Sequence, residues 1–509
     1  MSASLVAPRQ ATLAELLRPW VDVVADDDRN MTGLSVDSAQ AQPGDVFCAL
    51  AGTRRHGLEF VDDALASKVS AVLAARAPAA LLTRSAQICA KRNVPLIVLD
   101  RLNDELSAIA GRWYGEPSEK LKVIGVTGTD GKTSVSQFLA QALSAVGLRC
   151  GVIGTLGYGF VEALQPASHT TPDAVRVQAL LAAICAAEGE AAAMEVSSHA
   201  LDQGRVAGVH FDVAVLTNLS RDHLDYHGTV EAYAEAKARL FRQAGLGAAV
   251  LNRDDAFGRA LQAQLEPRVS LLGYSLDPAD TGADIVCSDL QLDGGGMRLR
   301  VRVGEETADL VLPLLGRFNA ANVLATLAAL QALGVPLSDS VHALQELKPV
   351  PGRMECFGGG DSPLVVVDYA HTPAALAAAL AAVREHVVGR VWCVFGCGGD
   401  RDRGKRPEMG KVAAHQADGI VITDDNPRSE PAAQIVADIR RGLGRAPAHV
   451  EHDREQAIRW AVNRAENNDV VLVAGKGHEQ EQQVGNKRIP FDDRVAVVKA
   501  LQERVTCKR

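Results

Sequence analysis

"LKVIGVTGTDGKTSVSQFLA", Leu121 to Ala140, changes character abruptly in its middle. Its first part is a nearly unbroken apolar run, the pattern of a strand buried on both faces of a parallel sheet. From Lys132 onward, Val135, Phe138, Leu139, Ala142 and Val146 recur at helical spacing. The glycines between these segments therefore sit in a loop joining a strand to the N-terminus of an amphipathic helix. Such a junction offers unpaired backbone N–H groups and the positive end of the helix dipole, and both suit phosphate. Gly128 and Gly131 let the backbone come close, Lys132 can reach terminal phosphates, and the Thr133 hydroxyl can ligate Mg²⁺. The stretch departs from the usual P-loop count, because Val126 stands where that pattern has its first glycine. A glycine-rich turn without a ligand is the plainer alternative, and a Gly-Lys-Thr that opens a helix directly after an apolar strand argues against it.

Composition bounds the rest of the chain. At 509 residues and 47% hydrophobic content it can bury several cores, about three at roughly 100–200 residues per domain. A net charge of −9 argues against the broad basic face that nucleic acid requires, so anionic ligands must be held by local groups. The nine cysteines form no CxxC pair and no disulfide-like rhythm, which reads as reduced thiols in a cytoplasmic protein. The start, "MSASLVAPRQATLAELLRPW", lacks a basic segment followed by a long apolar one, and no later stretch keeps about 18 apolar residues free of charge. A soluble protein without a membrane segment is expected, and a monomer.

Two joints divide the chain. Residues 1–111 alternate short apolar runs such as "PGDVFCAL" and "SAVLAA" with helical ones and read as a small α/β domain. "RWYGEPSEK", Arg112 to Lys120, is a Gly/Pro/charge-rich connector, so a central domain is expected over 112–347. "LKPVPGRMECF", Leu347 to Phe357, opens a third domain over 348–509. There an apolar strand, a polar loop and a helix recur, with the loops "DYAHTP", "GCGGDRDRGKRP", "DDNPRSE" and "GKGHE". In an open parallel sheet such loops share the carboxyl edge, where ligands bind.

The spacing of "TGTDGKTS" resembles the ATP loop of the Mur ligase family, the peptide-bond-forming enzymes of peptidoglycan assembly. Further signatures follow in family order: "MEVSSHAL", "TNLSRDHLDYHG", "YAEAKARLF", "GRFNAANVLA", "PGRME" and "DYAHTP". Together they span most of the chain. The resemblance implies an α/β protein of three domains: an N-terminal uridine-binding domain, a central P-loop ATPase-like domain with a parallel sheet, and a C-terminal Rossmann-like domain. It also implies ATP and Mg²⁺, and an amide made through an acyl phosphate.

Two anions, a carboxylate and the γ-phosphate, must approach each other in that reaction, so positive charge and metal must be concentrated around them. By resemblance the ATP site comprises Gly128, Thr129, Asp130, Gly131, Lys132, Thr133 and Ser134, with Asn319, Asn322, Arg353 and Asp368. Asp130 stands where many members carry Asn and brings an extra carboxylate near the phosphates. Glu195 would share Mg²⁺ with Thr133, and His223 would ligate a second Mg²⁺. His223 and His227, four apart, suggest a zinc pair, but no glutamate lies between them and no third ligand follows at suitable spacing. His227 is expected to be structural. Lys237, by position alone an exposed helical lysine, corresponds to the family's carbamate, formed when a neutral amine takes up carbon dioxide. Lys132, Glu195, His223 and Lys237 are thus the expected catalytic set, the last as a carbamate metal ligand.

The N-terminal "LSVDSAQAQPGDVFCALAGTRRHG" resembles the uridine-binding domain of members acting on peptide precursors. Val36, Ser38, Thr53, Arg54 and Arg55 would meet the UDP portion, although a merely solvated arginine pair remains open. Thr170, Thr171, Ser197, Gln203 and Arg205 would line sugar and peptide. "DDNPRSE" supplies Asp425, Asn426, Pro427 and Arg428, a pattern resembling that of members adding meso-diaminopimelate rather than lysine to UDP-N-acetylmuramoyl-L-alanyl-D-glutamate. A guanidinium can grip the second carboxylate that lysine lacks. Arg401, Gly475 and Glu479 would hold the other amino-acid end. The partners implied are these small molecules alone. Folylpolyglutamate synthase shares the loop but not the uridine-domain pattern, and a P-loop kinase or switch GTPase would need no amine pocket.

Overall fold

The computed structural model describes residues 11–167 and 169–507, with side chains through Arg504; the first ten residues of the expected N-terminal domain lie outside that range. The chain forms two compact units. The first runs to Ser275 and takes in Asp280–Ile285 and Leu324–Ala343; the second comprises Leu276–Ala279, Val286–Val323 and Leu344–Arg509.

Two larger sheets carry the first unit, beside the two-stranded pair Ala11–Thr12 and Asn30–Met31. Gly33–Ser35, Asp45–Ala49, Ala71–Ala75 and Leu96–Leu99 lie side by side in sequence order, all parallel. Asp45–Ala49 and Ala71–Ala75 are buried along their whole length, which is why they read as continuous runs and not as alternation. The second contributes seven strands of a ten-stranded sheet, in the order Ser270–Ser275, Ala248–Asn252, Val213–Leu216, Lys122–Thr127, Ala191–Glu195, Cys150–Gly154 and Gly157–Phe160. All but the last are parallel; Gly157–Phe160 turns back as an antiparallel edge.

Lys122–Thr127 is therefore central, and the glycine loop leaves it between two neighbours. Glu195 pairs in register with Val126 on one side, and Leu216 with Thr127 on the other. Val123, Ile124 and Val126 are wholly buried, each contributing roughly 1.5–3 kcal/mol of transfer free energy. The strand that carries the loop is thereby a rigid mount.

In the second unit, Glu355–Gly358, Leu364–Asp368, Val470–Ala474, Val391–Phe395, Gly419–Ile422 and His449–Val450 form a six-stranded sheet in that order. Only Glu355–Gly358 is antiparallel. The shared carboxyl edge expected from the repeat is present, because Asp368, Ala474, Phe395 and Ile422 end adjacent parallel strands. The same unit holds the meander Ile285–Asp293, Gly296–Val303 and Glu306–Leu312.

The expected α/β class with separate parallel sheets is what forms. Two local readings need correction. The connector does not begin at Arg112, since the helix Leu102–Tyr114 continues through it and stops at Gly115, which takes the left-handed conformation at φ 77°. Glu355–Gly358 is a strand rather than the tail of a linker.

Candidate active site

In the first unit the glycine loop is held from both flanks. Gly128 has φ 150°, and a Cβ there would lie 1.8 Å from Thr217 Oγ1, so only glycine lets the loop pass so close to the next strand's end. Thr217 Oγ1 donates to the Asp130 carbonyl (2.6 Å), and Asp130 N donates to Asn218 Oδ1 (3.0 Å). Thr129 Oγ1 lies 3.2 Å from the Tyr233 hydroxyl and accepts from Ser220 N at 2.9 Å. Lys132 Nζ folds onto the Gly128 and Thr129 carbonyls, at 3.0 and 2.8 Å. Thr133 and Ser134 open the helix Lys132–Ala145 and are buried, while Gly131 precedes it at φ 84°.

Glu195, 1% exposed, gathers the hydroxyls around it. Its Oε2 accepts from Thr133 Oγ1 (3.0 Å) and Thr155 Oγ1 (3.1 Å), and its Oε1 from Thr155 N (2.7 Å). Thr155 Oγ1 sits 3.0 Å from Thr170 Oγ1, and Thr171 Oγ1 donates to the Glu195 carbonyl at 2.7 Å. Ser197 N donates to Thr171 Oγ1, and the Ser197 hydroxyl caps the helix Ser198–Asp202. Arg205 donates to the Thr171 carbonyl and, through two nitrogens, to Gln203 Oε1. Five residues expected to line one ligand thus form a single network around Glu195.

Lys237 is 1% exposed on the helix Val230–Phe241. Its Nζ donates to the Gly128 carbonyl at 2.6 Å and stands 4.4 Å over the Tyr233 ring. Burial, reinforced by the neighbouring Lys132 charge, holds its ammonium well below the usual lysine range. His223, at φ 51°, has its ring 6.1 Å from that of Tyr233 and 5.0 Å from that of His199. His227 Nε2 sits 3.0 Å from Ser198 Oγ. Among the described residues no three His, Cys, Asp or Glu side chains are arranged to hold a metal ion. Thr133 Oγ1 and the Glu195 carboxylate nevertheless form a hard oxygen pair that fits Mg²⁺, which usually takes one or two carboxylates and completes its shell with water and substrate phosphate.

The N-terminal candidates are less engaged. Thr53, Arg54 and Arg55 are exposed, while Val36 and Ser38 are half-buried. Arg55 pairs with Glu59 at 2.9 Å and covers the Phe60 ring at 4.2 Å, whereas Arg54 makes no hydrogen bond among the described residues.

The second unit carries the remaining candidates. Asn319 and Asn322 lie in the first turns of the helix Arg317–Ala332 and are buried; Asn322 Nδ2 donates to Asn319 Oδ1, and Asn319 Nδ2 donates to the Leu315 carbonyl. His386 fixes the turn before them, accepting Gly316 N–H through Nε2 (2.8 Å) and donating from Nδ1 to the Asp293 carbonyl (2.6 Å). Asp368 accepts from Met354 N and Ala370 N, and Arg353 stacks on Tyr369 at 4.4 Å.

Along the sheet's carboxyl edge the amino-acid candidates meet. Asn426 Nδ2 donates to Glu479 Oε2 at 2.9 Å. Arg428, at φ 51°, donates from Nη1 to the Gly399 carbonyl at 2.8 Å, and Gly399 N donates to the Asn426 carbonyl, so the loop bearing Arg401 and the loop bearing Pro427 are tied together. Arg401 is exposed. Gly475, at φ 121°, would place a Cβ 2.7 Å from Asp425 Oδ2.

The Mur ligase middle domain is matched over residues 126–330, and the Mur ligase glutamate ligase domain over residues 352–477. A UDP-N-acetylmuramoyl-L-alanyl-D-glutamate–2,6-diaminopimelate ligase of Alkalilimnicola ehrlichii is 55% identical over 492 residues, covering 96% of this chain and 99% of its own. The chain belongs to the Mur ligase family. An enzyme of the same name from Pseudomonas aeruginosa is 49% identical over 94% of this Mur ligase and 96% of its own length. A solved structure bearing that name superposes with TM-score 0.72 at 36% identity, over 98% of this chain and 100% of its own. A folylpolyglutamate synthase of Mycobacterium tuberculosis shares the fold at TM-score 0.59 and 21% identity, over 73% of this Mur ligase and 92% of its own length.

Sequence reasoning passed over three members of these networks. Thr155 binds Glu195 twice but lies in "GTLGYGF", which carries no motif. Arg406, fully buried, bridges Glu430 (2.8 Å) and Asp438 (2.9 Å), and it donates to the Gly398 carbonyl. Lys476, also fully buried, lies inside the "GKGHE" loop, where a lysine between glycines signals only flexibility.

Proposed function

We infer that this chain is an ATP-dependent ligase that joins meso-diaminopimelate to UDP-N-acetylmuramoyl-L-alanyl-D-glutamate, releasing ADP and phosphate in peptidoglycan precursor synthesis. The observation that carries the choice of amino acid is the cluster of Asn426, Arg428 and Glu479 at the carboxyl edge of the second unit's sheet, where a guanidinium and a carboxylate face a zwitterion's two kinds of charge.

The chemistry divides among the residues described. Helix N–H groups behind Gly131 and the Lys132 ammonium bind the phosphates of ATP, with Thr129, Asp130 and Ser134 shaping the loop. Thr133 and Glu195 would hold Mg²⁺, which would supply positive charge where the glutamate carboxylate and the γ-phosphate meet. That carboxylate attacks the phosphate, ADP leaves, and the amine of diaminopimelate then displaces phosphate from the acyl carbon. Lys237 serves as a carbamate and with His223 holds a second ion; its burial and depressed pKa support this, because they keep the amine neutral and reactive toward carbon dioxide. Asn319, Asn322, Arg353 and Asp368 take the adenosine portion. Val36, Ser38, Thr53, Arg54, Arg55, Thr170, Thr171, Ser197, Gln203 and Arg205 take the UDP-linked substrate. We read three domains, as expected from the two joints, with the first joint falling after the helix Leu102–Tyr114 and not at Arg112.

No helix among the described residues is long and apolar enough to cross a membrane, and the eight described cysteines are free thiols. We read the chain as a monomer working in the cytoplasm, where ATP and reduced thiols are maintained. Phosphate release from ATP, measured with UDP-N-acetylmuramoyl-L-alanyl-D-glutamate and with or without meso-diaminopimelate, tests the reading. Release should require both, and release indifferent to both overturns it.

A further inference from the structure

We propose that Lys476 is a positioning residue of the amino-acid subsite, one that never touches substrate but fixes the face that Asn426 and Glu479 present to it. The proposal rests on the reading of this cluster as the diaminopimelate subsite.

An ammonium with no solvent exposure persists only among compensating partners. Lys476 Nζ donates to Asn426 Oδ1 at 3.1 Å and to Glu479 Oε2 at 2.9 Å, and it lies 3.9 Å from Asp425 Oδ1. Because an ammonium only donates, the Asn426 atom that meets it must be the oxygen. Gln483 N donates to that same oxygen at 2.9 Å, so the amide nitrogen is forced the other way, onto Glu479 Oε2 at 2.9 Å.

The consequence for Glu479 is an asymmetric carboxylate. Oε2 accepts two donors from within the protein, while Oε1 accepts none among the described residues. The side chain is 31% exposed, in contrast to the sealed lysine beneath it. Burial pushes the carboxyl up, but the Lys476 charge and the hydrogen bonds from Lys476 and Asn426 outweigh this and hold it below its usual range. Glu479 therefore offers one anionic oxygen to an incoming ammonium. Without Lys476 the Asn426 oxygen keeps only the Gln483 N–H, and the Asp425 and Glu479 carboxylates lose the cation between them.

Steady-state phosphate release by the full-length chain tests this, with diaminopimelate titrated at saturating ATP and UDP-dipeptide. Lys476→Met should raise KM for diaminopimelate by about tenfold or more, the scale of a lost charged hydrogen bond, while KM for ATP and for the UDP-dipeptide stays within about twofold. An unchanged KM for diaminopimelate overturns the proposal, and so does an equal rise in all three, which a merely structural lysine would give. Should Lys476→Met fail to fold, the neutralised pair Lys476→Met/Glu479→Gln is compared with Glu479→Gln alone. If the lysine acts through that carboxylate, its loss adds less than about twofold to the KM of Glu479→Gln, and a further tenfold loss overturns it. A wild-type chain that turns over with another amino acid but ignores diaminopimelate contradicts the substrate reading instead, and the same arms are then run with that amino acid.

Discussion

Lys237 donates a 2.6 Å hydrogen bond to the carbonyl oxygen of Gly128, the oxygen that also accepts Lys132 at 3.0 Å. Two cationic side chains converging on one backbone oxygen repel, and the fully buried one yields its proton first. A neutral amine at the base of a phosphate loop is the species that captures carbon dioxide. Wild-type protein equilibrated with ¹³C-bicarbonate should show a carbamate carbon resonance that Lys237→Arg lacks. Turnover of Lys237→Arg at saturating substrates should fall at least about tenfold, the lower end of losses around metal ligands. A wild-type rate in that variant, or no carbamate signal, sinks the role.

Selectivity should depend on Arg428. Among the described residues only Nη1 is committed, to the Gly399 carbonyl, which leaves the rest of the guanidinium fork for a ligand carboxylate. The left-handed backbone at φ 51° and the preceding Pro427 aim it. Arg428→Asn should lower the preference for diaminopimelate over lysine by at least about tenfold, since a charged hydrogen bond is worth roughly 1.5–3 kcal/mol. Competing the two amino acids at matched ATP and UDP-dipeptide measures it, and an unaltered preference removes Arg428 from the selectivity mechanism.

The mount of the phosphate loop was legible in sequence because a buried parallel strand, two glycines and a helix start each leave a local mark. Glu195, His223 and Lys237 were legible only through longer motifs, since a buried lysine in "YAEAKARLF" has the same spacing as an exposed one. Thr155 and Lys476 were not legible at all. Their roles come from partners 40 and 50 residues away in the chain, and no local pattern encodes such a pairing. The antiparallel strand Glu355–Gly358 was hidden for a similar reason: its proline-rich approach reads as linker, and pairing with Leu364–Asp368 overrides that.

Acid should destabilise the protein in a defined window. Burial lowers the pKa of His199, His227, His371 and His478, the last to about 4. Folded, these rings stay neutral; unfolded, each takes a proton near pH 6.5. The unfolded state thus binds more protons between about 6.5 and the folded values, so stability is lost as pH falls through that range. Glu430 adds a later loss. Hydrogen bonding by Arg406 holds its pKa at about 2, so its contribution fades below the ordinary glutamate range. The thermal midpoint should fall from pH 7 to pH 5, less steeply in His478→Gln. A midpoint flat over that interval contradicts the assignment.

Arg454 and Asp493 test whether the carboxyl edge depends on support from below. Both are fully buried, joined bidentately at 2.7 and 2.8 Å, and Arg454 Nη2 also donates to the Ala474 carbonyl at 3.0 Å. Ala474 ends the strand that leads into Gly475, so the pair underlies the loop carrying Lys476 and Glu479. Arg454 Nη1 is buried with no hydrogen-bond partner among the described residues, which makes the arrangement expensive for stability and argues that it is kept for geometry. Arg454→Met strands the Asp493 carboxylate; its place at the start of the helix Asp493–Cys507 softens that only in part. The variant should lose about 3–5 kcal/mol in urea unfolding. Arg454→Met/Asp493→Leu, which buries no charge, should recover most of the stability while KM for diaminopimelate remains elevated. If the double variant regains both stability and KM, the ion pair contributes nothing to the shape of the edge.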